Sequence, residues 1–304
     1  MAVRVQVPAS TANLGPAFDC AAIALNLYLR VSAEPRSAPG FEIRYRGANA
    51  DRVPADDENL IGQAIRRYAA SAKAAIAGAR IEIENDIPIG VGLGSSAAAI
   101  VAGLLIGAEL AGGKPERALL LREAAALEHH PDNVTAALCG GFVVAATTGR
   151  EGGGSGEVLF HRCDVSDSLD FIAVTPDRPL STEKARSVLP AQYSRQDVVH
   201  NLQRVALLTA ALCSDSGLTP EIFRDRIHQP YRSALIPGIA ACLEFRHEGL
   251  AGVFISGAGS SVMAIATKNA AEIGDALVAK FRGNGVQARA THLKADNRGA
   301  QVLK

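Results

Sequence analysis

The sequence predicts an α+β protein of two domains, and three observations lead there. The chain has 304 residues, enough for about two ordinary domains. Short alternations of apolar and polar residues, the period of a half-buried strand, recur in both halves between stretches with helical spacing. The second half carries them in a β-α-β-like order with antiparallel pieces, the pattern of an α+β domain. The boundary is placed at residue 165, giving units 1–165 and 166–304.

Taken in order, Val3 to Val7 alternates and reads as a strand. Pro8 to Asp19 reads as a loop, because its Pro, Asn and Gly content opposes regular structure. Ala21 to Val31 and Phe41 to Tyr45 are strands. Asp56 to Asn59 opens a helix to about Ala77, with acids where the helix dipole favours them. Ala79 to Glu84 alternates again, and Pro88 to Ala99 is a glycine loop running into an Ala-rich helix. Pro115 to His129 is a helix with Pro in its first turn. His130-Pro-Asp-Asn133 breaks it, and a short helical segment follows to Leu138. Gly140 to Ala146 and Glu157 to Cys163 form a hairpin around the low-complexity turn Gly149 to Gly156. Leu169 to Thr175 is a strand. Ser181 to Leu189 and Ser194 to Cys213 are helices, the second with an apolar stripe of Val198, Leu202, Val205, Leu208 and Leu212. Pro237 to His247 is a helix. Val253 to Ser256 and Val262 to Ala266 are strands flanking Gly257 to Ser261, followed by the helix Ala270 to Phe281 and the strand Val286 to His292.

Thirty-one basic residues balance thirty-one acidic ones, so no net field favours nucleic acid or an anionic membrane as partner. The five cysteines are scattered without a Cys-x-x-Cys pair, which predicts neither a disulfide framework nor a zinc site, but buried small side chains in a reducing compartment. The first residues alternate as a strand does, not as a signal peptide, and the longest apolar run, Ala97 to Leu110, is too short to span a bilayer. A cytoplasmic location is expected.

Four polar-glycine clusters interrupt this apolar chain: Asn13 to Asp19, Gly90 to Ser96, Glu128 to Asn133 and Ser256 to Ser261. Glycine lets a backbone turn sharply and approach a ligand closely, and a helix N-terminus offers unpaired N–H groups to a phosphate. Gly90, Gly92 and Gly94 followed by an Ala-rich helix therefore suit an anion. Ser95 or Ser96 would cap that helix or hold a Mg²⁺ that bridges phosphates. The pattern is neither a Walker loop nor a Gly-x-Gly-x-x-Gly turn. With a carboxylate cluster and a separate Asn/Asp loop, it points to a metal-nucleotide site. Asn13 and Asp132 also have local readings, as a turn-closing Asn and as a cap of the short helix after Pro131.

Val7-Pro-Ala-Ser-Thr-Ala-Asn-Leu-Gly-Pro-Ala-Phe-Asp19, Pro88-Ile-Gly-Val-Gly-Leu-Gly-Ser-Ser-Ala-Ala98 and Ser256-Gly-Ala-Gly-Ser260 resemble, in order and spacing, the three motifs of the GHMP kinases. Glu128-His-His-Pro-Asp-Asn133 and His228-Gln-Pro-Tyr-Arg232 are similar to the branch that phosphorylates L-homoserine. The resemblance spans nearly the whole chain. It implies the two-domain GHMP kinase fold: an N-terminal mixed β-sheet with helices and a C-terminal ferredoxin-like α/β sandwich. It implies ATP-dependent phosphorylation of L-homoserine to O-phospho-L-homoserine, in threonine biosynthesis. The alternatives are another small alcohol (threonine, mevalonate or a sugar) or a non-catalytic sensor on the same fold. ATP and Mg²⁺ are the implied cofactors, and a homodimer the implied assembly.

Residue by residue, the resemblance places ATP on Asn59, Pro88, Gly90, Gly92, Leu93, Gly94, Ser95 and Ser96. Ser96 and Glu128 would hold Mg²⁺, with Glu123 a rival little more than one helical turn away. Asp132, Asn133 and Asn13 are the catalytic candidates. Asn13, Asp19, Asp132, Thr182, Arg186, Arg232 and Gly257 are the acceptor candidates, the arginines because a planar fork binds a carboxylate bidentately. Gly257, Gly259 and Ser260 would form a second backbone nest. His129, His130 and His200 are assigned to packing or capping. Three departures fall in or beside the acceptor motifs: Ala17 stands where the family has glycine, Cys20-Ala21-Ala22 where it has Ser/Thr-Leu-Gly, and His129 where glycine is common. Ala17 would strain the loop if its φ were positive.

Overall fold

The computed structural model describes residues 2–54, 58–114, 116–149 and 156–303. The expected helix-opening acids Asp56 and Asp57, Pro115, and most of the turn between Gly149 and Gly156 lie outside the described residues. Strands β1 (Val3–Asn13), β2 (Ala17–Arg36), β3 (Gly40–Gly47), β4 (Gly78–Asn85), β5 (Phe142–Thr147), β6 (Val158–Cys163) and, at the chain's end, β11 (Gln301–Leu303) form one mixed sheet. Its order is β11-β1-β2-β4-β3, with β5 paired to the start of β2 and β6 to β5. Only β3 and β4 run parallel, joined through helix α1 (Leu60–Ala72).

The expected loop Pro8 to Asp19 is mostly strand. β1 continues to Asn13 and β2 starts at Ala17, so the turn is only Leu14-Gly15-Pro16. Pro8 is tolerated because it sits at a register shift, where the ladder is already interrupted. Helix α1 stops at Ala72 rather than Ala77, because Lys73 turns left-handed (φ 52°) and its N–H closes on the carbonyls of Ala69 and Ala70. Helix α2 (Ser95–Leu110) is buried on nearly every face, as its Ala-rich composition requires. Helices α3 (Arg117–Glu128) and α4 (Asp132–Cys139) complete this half.

In the second half β7 (Asp170–Pro176), β8 (Leu250–Ile255), β9 (Val262–Ala266) and β10 (Ala288–Leu293) form an antiparallel sheet of order β10-β7-β9-β8. Helix α9 (Ala270–Gly283) buries Ile273, Leu277 and Phe281 in the core it shares with this sheet. Helices α5 (Thr182–Ser187), α6 (Arg195–Ser214), α7 (Gln229–Arg232) and α8 (Ile239–Leu243) complete it. The stripe expected on α6 is rotated. Asn201, Leu208, Ala211 and Leu212 face inward, while Leu202 is 64% exposed and Val198 37%. A polar residue takes the inward position because it serves the turn after β1, as described below. Helix α8 is shorter than expected, starting only after Gly238 at φ 100°. The last strand, β11, which periodicity did not reveal, pairs antiparallel with β1 and carries the chain's end back to the first sheet.

Cysteine usage also departs from expectation. Cys163 at the end of β6 and Cys213 on α6 are disulfide-bonded, with Cα atoms 5.6 Å apart across a separation of 50 residues. Spacing along the chain holds no trace of this, since only the seating of α6 beside β6 brings the sulfurs together. Cys139 and Cys242 are buried and free, and Cys20 is half-buried. No helix among the described residues is long and apolar enough to cross a membrane.

Candidate active site

The glycine loop lies between β4 and α2 with Gly90, Gly92 and Gly94 at φ 73°, 86° and 71°. A Cβ on Gly92 would strike the Ser256 carbonyl oxygen, and one on Gly94 the Ser10 side chain. The loop is pressed that closely against its neighbours by hydrogen bonds. Ser256 Oγ donates to the Gly92 carbonyl (2.6 Å), Ser261 N to that of Val91 (3.0 Å) and Ser10 N to that of Leu93 (3.2 Å). Three segments distant in sequence thus share one backbone surface. The cap of α2 is Gly94, not Ser95 or Ser96, and it makes no side-chain cap hydrogen bond, so the N–H groups of the first turn suit an anion.

A cleft of about 430 Å³ opens here. Most residues assigned to the site from the sequence line it: Asn13, Asp19, Asn59, Pro88, Gly90, Gly92 to Ser96, Glu128, Asp132, Asn133, Thr182, Arg186, Arg232, Gly257 and Gly259; Ser260 is fully buried and does not. Val53, Pro54, Ile61, Ile89 and Ala99 add an apolar wall. Asn59 itself is held as the cap of α1, its Oδ1 accepting from Ile61 N (3.0 Å) and its Nδ2 donating to the Pro54 carbonyl (2.7 Å).

The two rival carboxylates separate clearly. Glu123 is 3% exposed and clamped by Arg67 (2.5 Å) and Arg122 (3.1 Å) away from the cleft. Burial opposes its charge, but the two arginines outweigh that and pull its pKa down. Glu128 lines the cleft and accepts from Ser96 Oγ at 2.7 Å. Burial pushes its carboxyl up, with the Ser96 hydrogen bond opposing. A hydroxyl and a desolvated carboxylate facing one cleft are the oxygen donors that a hard divalent cation takes, so this pair fits Mg²⁺.

Across the cleft, Asp19 accepts from Arg186 Nη1 (2.9 Å) and Nη2 (2.8 Å), a two-pronged ion pair that raises the Arg186 pKa. Arg232 is only 2% exposed. It donates Nε to the Ala185 carbonyl (3.1 Å) and Nη1 to the Gly257 carbonyl (3.2 Å), and it lines the cleft. Burial, then repulsion from Arg186, lowers its pKa to about 10. Both guanidiniums lie over the Phe18 ring, at 5.5 and 5.1 Å from its centre. Asn13 is turned to internal work, donating to the Gly257 carbonyl (2.7 Å) and accepting from Asp19 N (2.9 Å), which fixes the acceptor turn. Asn133 Oδ1 accepts from Ser10 Oγ (2.8 Å).

His130, which sequence reasoning assigned to packing, lines the cleft with Nδ1 2.7 Å from Asp132 Oδ1. Burial works against its charged form, but the Asp132 hydrogen bond and the charges of Asp132, Glu128 and Asp19 win and raise its pKa. Its place between Glu128 and Asp132 in the sequence was the available signal. His129 takes φ 68° and closes α3 in the left-handed position that glycine adopts most freely, and His200 lies outside the cleft. Ala17 is not left-handed. It is buried and extended opposite Asn13, so this departure carries no strain.

A glycine-lined helix N-terminus, a hydroxyl–carboxylate pair and a charged pocket on an α+β frame form the architecture of a small-molecule kinase. Residues 59–141 match the model of the GHMP kinases N terminal domain and residues 203–283 that of the GHMP kinases C terminal region. The chain belongs to the GHMP kinase family. Within it, similarity runs the full length of proteins named homoserine kinase. One from Solibacter usitatus is 40% identical over 99% of this chain and 97% of its own length, and one from a Synechococcus species 41% over 99% and 98%. A crystal structure of homoserine kinase from Cytophaga hutchinsonii superposes with a TM-score of 0.85 at 29% identity, covering 99% of this chain and 97% of that one.

Proposed function

We propose that this chain is a homoserine kinase, which transfers the γ-phosphoryl group of ATP to the side-chain hydroxyl of L-homoserine, releasing ADP and O-phospho-L-homoserine. The carrying observation is the Asp19–Arg186 pair with Arg232 beside it. One carboxylate and two guanidiniums match a zwitterion, with Asp19 taking the α-ammonium and the arginines the α-carboxylate. Neither mevalonate nor a neutral sugar presents that charge pair.

ATP is assigned to the glycine loop, with its phosphates at the α2 N-terminus and its base against Asn59 and the apolar wall. Ser96 and Glu128 are assigned to Mg²⁺, which when bound neutralises phosphate charge. Phosphoryl transfer needs chiefly positioning and charge stabilisation. Asp132 has one oxygen engaged by His130 and Asn133 N, which leaves Oδ2 to orient the acceptor hydroxyl. His130, held toward its charged form, adds positive charge where the transferring group carries negative charge. Thr182, on the same helix face as Arg186, completes the acceptor wall. A cytoplasmic setting and a step in threonine formation accord with this reaction.

The test is an ADP-release assay across L-homoserine, L-threonine, mevalonate and galactose. Turnover with L-homoserine well above the others is expected. Turnover with a different acceptor, or none with any, overturns the reading.

A further inference from the structure

Beyond the groups that face the cleft, a buried polar bracket stands behind the acceptor turn. Asp225 lies between Phe223 and α7 and is 9% exposed. Its carboxylate accepts four hydrogen bonds: from the backbone N–H groups of Ile227 (2.9 Å), His228 (2.9 Å) and Gln229 (2.6 Å), and from Asn201 Nδ2 (2.7 Å). Asn201 Nδ2 also donates to the Pro16 carbonyl (3.0 Å), and its Oδ1 accepts from Arg226 N (3.0 Å). From the segment that Asp225 pins, His228 Nε2 reaches the Gly15 carbonyl (2.7 Å). A carbonyl only accepts, so Nε2 carries the proton and Nδ1 faces Arg232 Nη1 at 3.3 Å as an acceptor. The ring is fully buried and stacks on Phe18 at 5.2 Å.

The turn that carries Asp19 is thus gripped from behind at two consecutive carbonyls. The same bracket sets where Arg232 stands. That turn needs holding, since Asn13, Leu14, Gly15 and Asp19 all take positive φ. We propose that Asp225, with Asn201, is a positioning residue for acceptor recognition. It fixes the Asp19 turn and the Arg232 guanidinium in mutual register, so that one rigid unit measures the distance between an ammonium and a carboxylate. It touches no substrate. The inference rests on the amino-acid acceptor reading above.

The test replaces Asp225 with Asn. An asparagine keeps one acceptor oxygen and turns an NH₂ toward groups that are themselves donors, so part of the bracket opens. The readout is the ratio of kcat/KM for L-homoserine to that for 3-aminopropan-1-ol, which is homoserine without its carboxylate. The Asp225→Asn ratio is expected to fall about tenfold relative to wild type, the size of one lost charge-assisted hydrogen bond at Arg232, with KM for ATP within about twofold. A general loss of structure would lower both acceptors alike. Equal loss on both, or no change on either, overturns the proposal. If Asp225→Asn does not fold, as a melting curve will tell, Asn201→Ala is read by the same ratio, and an unchanged ratio there is decisive against it. A wild-type protein inert toward L-homoserine instead removes the acceptor reading itself, and does so before any variant is compared.

Discussion

Removing Arg186 probes the acceptor pocket most directly, and its effect can be sized from the structure. A charge-assisted contact to the substrate carboxylate contributes about 1.5–3 kcal/mol. In the free protein, however, Arg186 is already paired with Asp19, and an incoming zwitterion must open that pair. Both side chains are more than 30% exposed, at 39% and 32%. Solvent therefore screens the pair to about 0–1 kcal/mol. Arg186→Ala loses the substrate contact but no longer has that pair to open, so the net loss is about 0.5–3 kcal/mol, or about 2- to 160-fold in kcat/KM for L-homoserine. The assay is ADP release with L-homoserine varied at saturating ATP. The loss should fall mainly on the acceptor KM. An unchanged acceptor KM, or an equal rise in KM for ATP, refutes the split of the ion pair by substrate.

Other perturbations reach other walls of the cleft. Ser96→Ala removes a hydroxyl assigned to the cation and the only donor to Glu128 among the described hydrogen bonds. KM for Mg-ATP should rise several-fold with the melting temperature unchanged, because Ser96 is exposed; a normal Mg²⁺ titration would take Ser96 out of the cation site. Gly92→Ala combines a left-handed residue with a collision against the Ser256 carbonyl, and should cost about 1–3 kcal/mol of stability along with ATP binding. Gly112→Ala, also left-handed (φ 69°) but facing open space, is its control; similar melting temperatures for the two would deny the close packing of the motifs. Glu123→Gln should leave turnover within about twofold while lowering stability, since it strips charge from a carboxylate clamped by two arginines; strong loss of Mg²⁺ dependence would restore Glu123 as the ligand.

Much of the site was legible because its chemistry is local. Gly90, Gly92 and Gly94 need positive φ, and only glycine adopts it freely, so the loop writes itself into the sequence. Thr182 and Arg186 share a helix face by their spacing alone. His130 was missed for a physical reason. A histidine after a helix is ordinarily a cap, and its role depends on the charges of Asp132, Glu128 and Asp19, the last of which arrives from another strand. Pro8 to Asp19 was misjudged because a proline usually ends a strand, whereas here a register shift absorbs it.

What the sequence determined by itself is the class of element at most positions, the glycine cradle and the residue types that the cleft brings together. Backbone freedom, periodicity and side-chain chemistry are properties of short stretches, and they survive without the fold. What only the tertiary structure decided is everything that pairs distant segments: the Ser96–Glu128 contact, the Cys163–Cys213 bond, the return of β11 to β1, and the inward turn of Asn201 to Pro16 and Asp225. Each is a contact between groups dozens to hundreds of residues apart, which packing brings together and linear spacing does not encode.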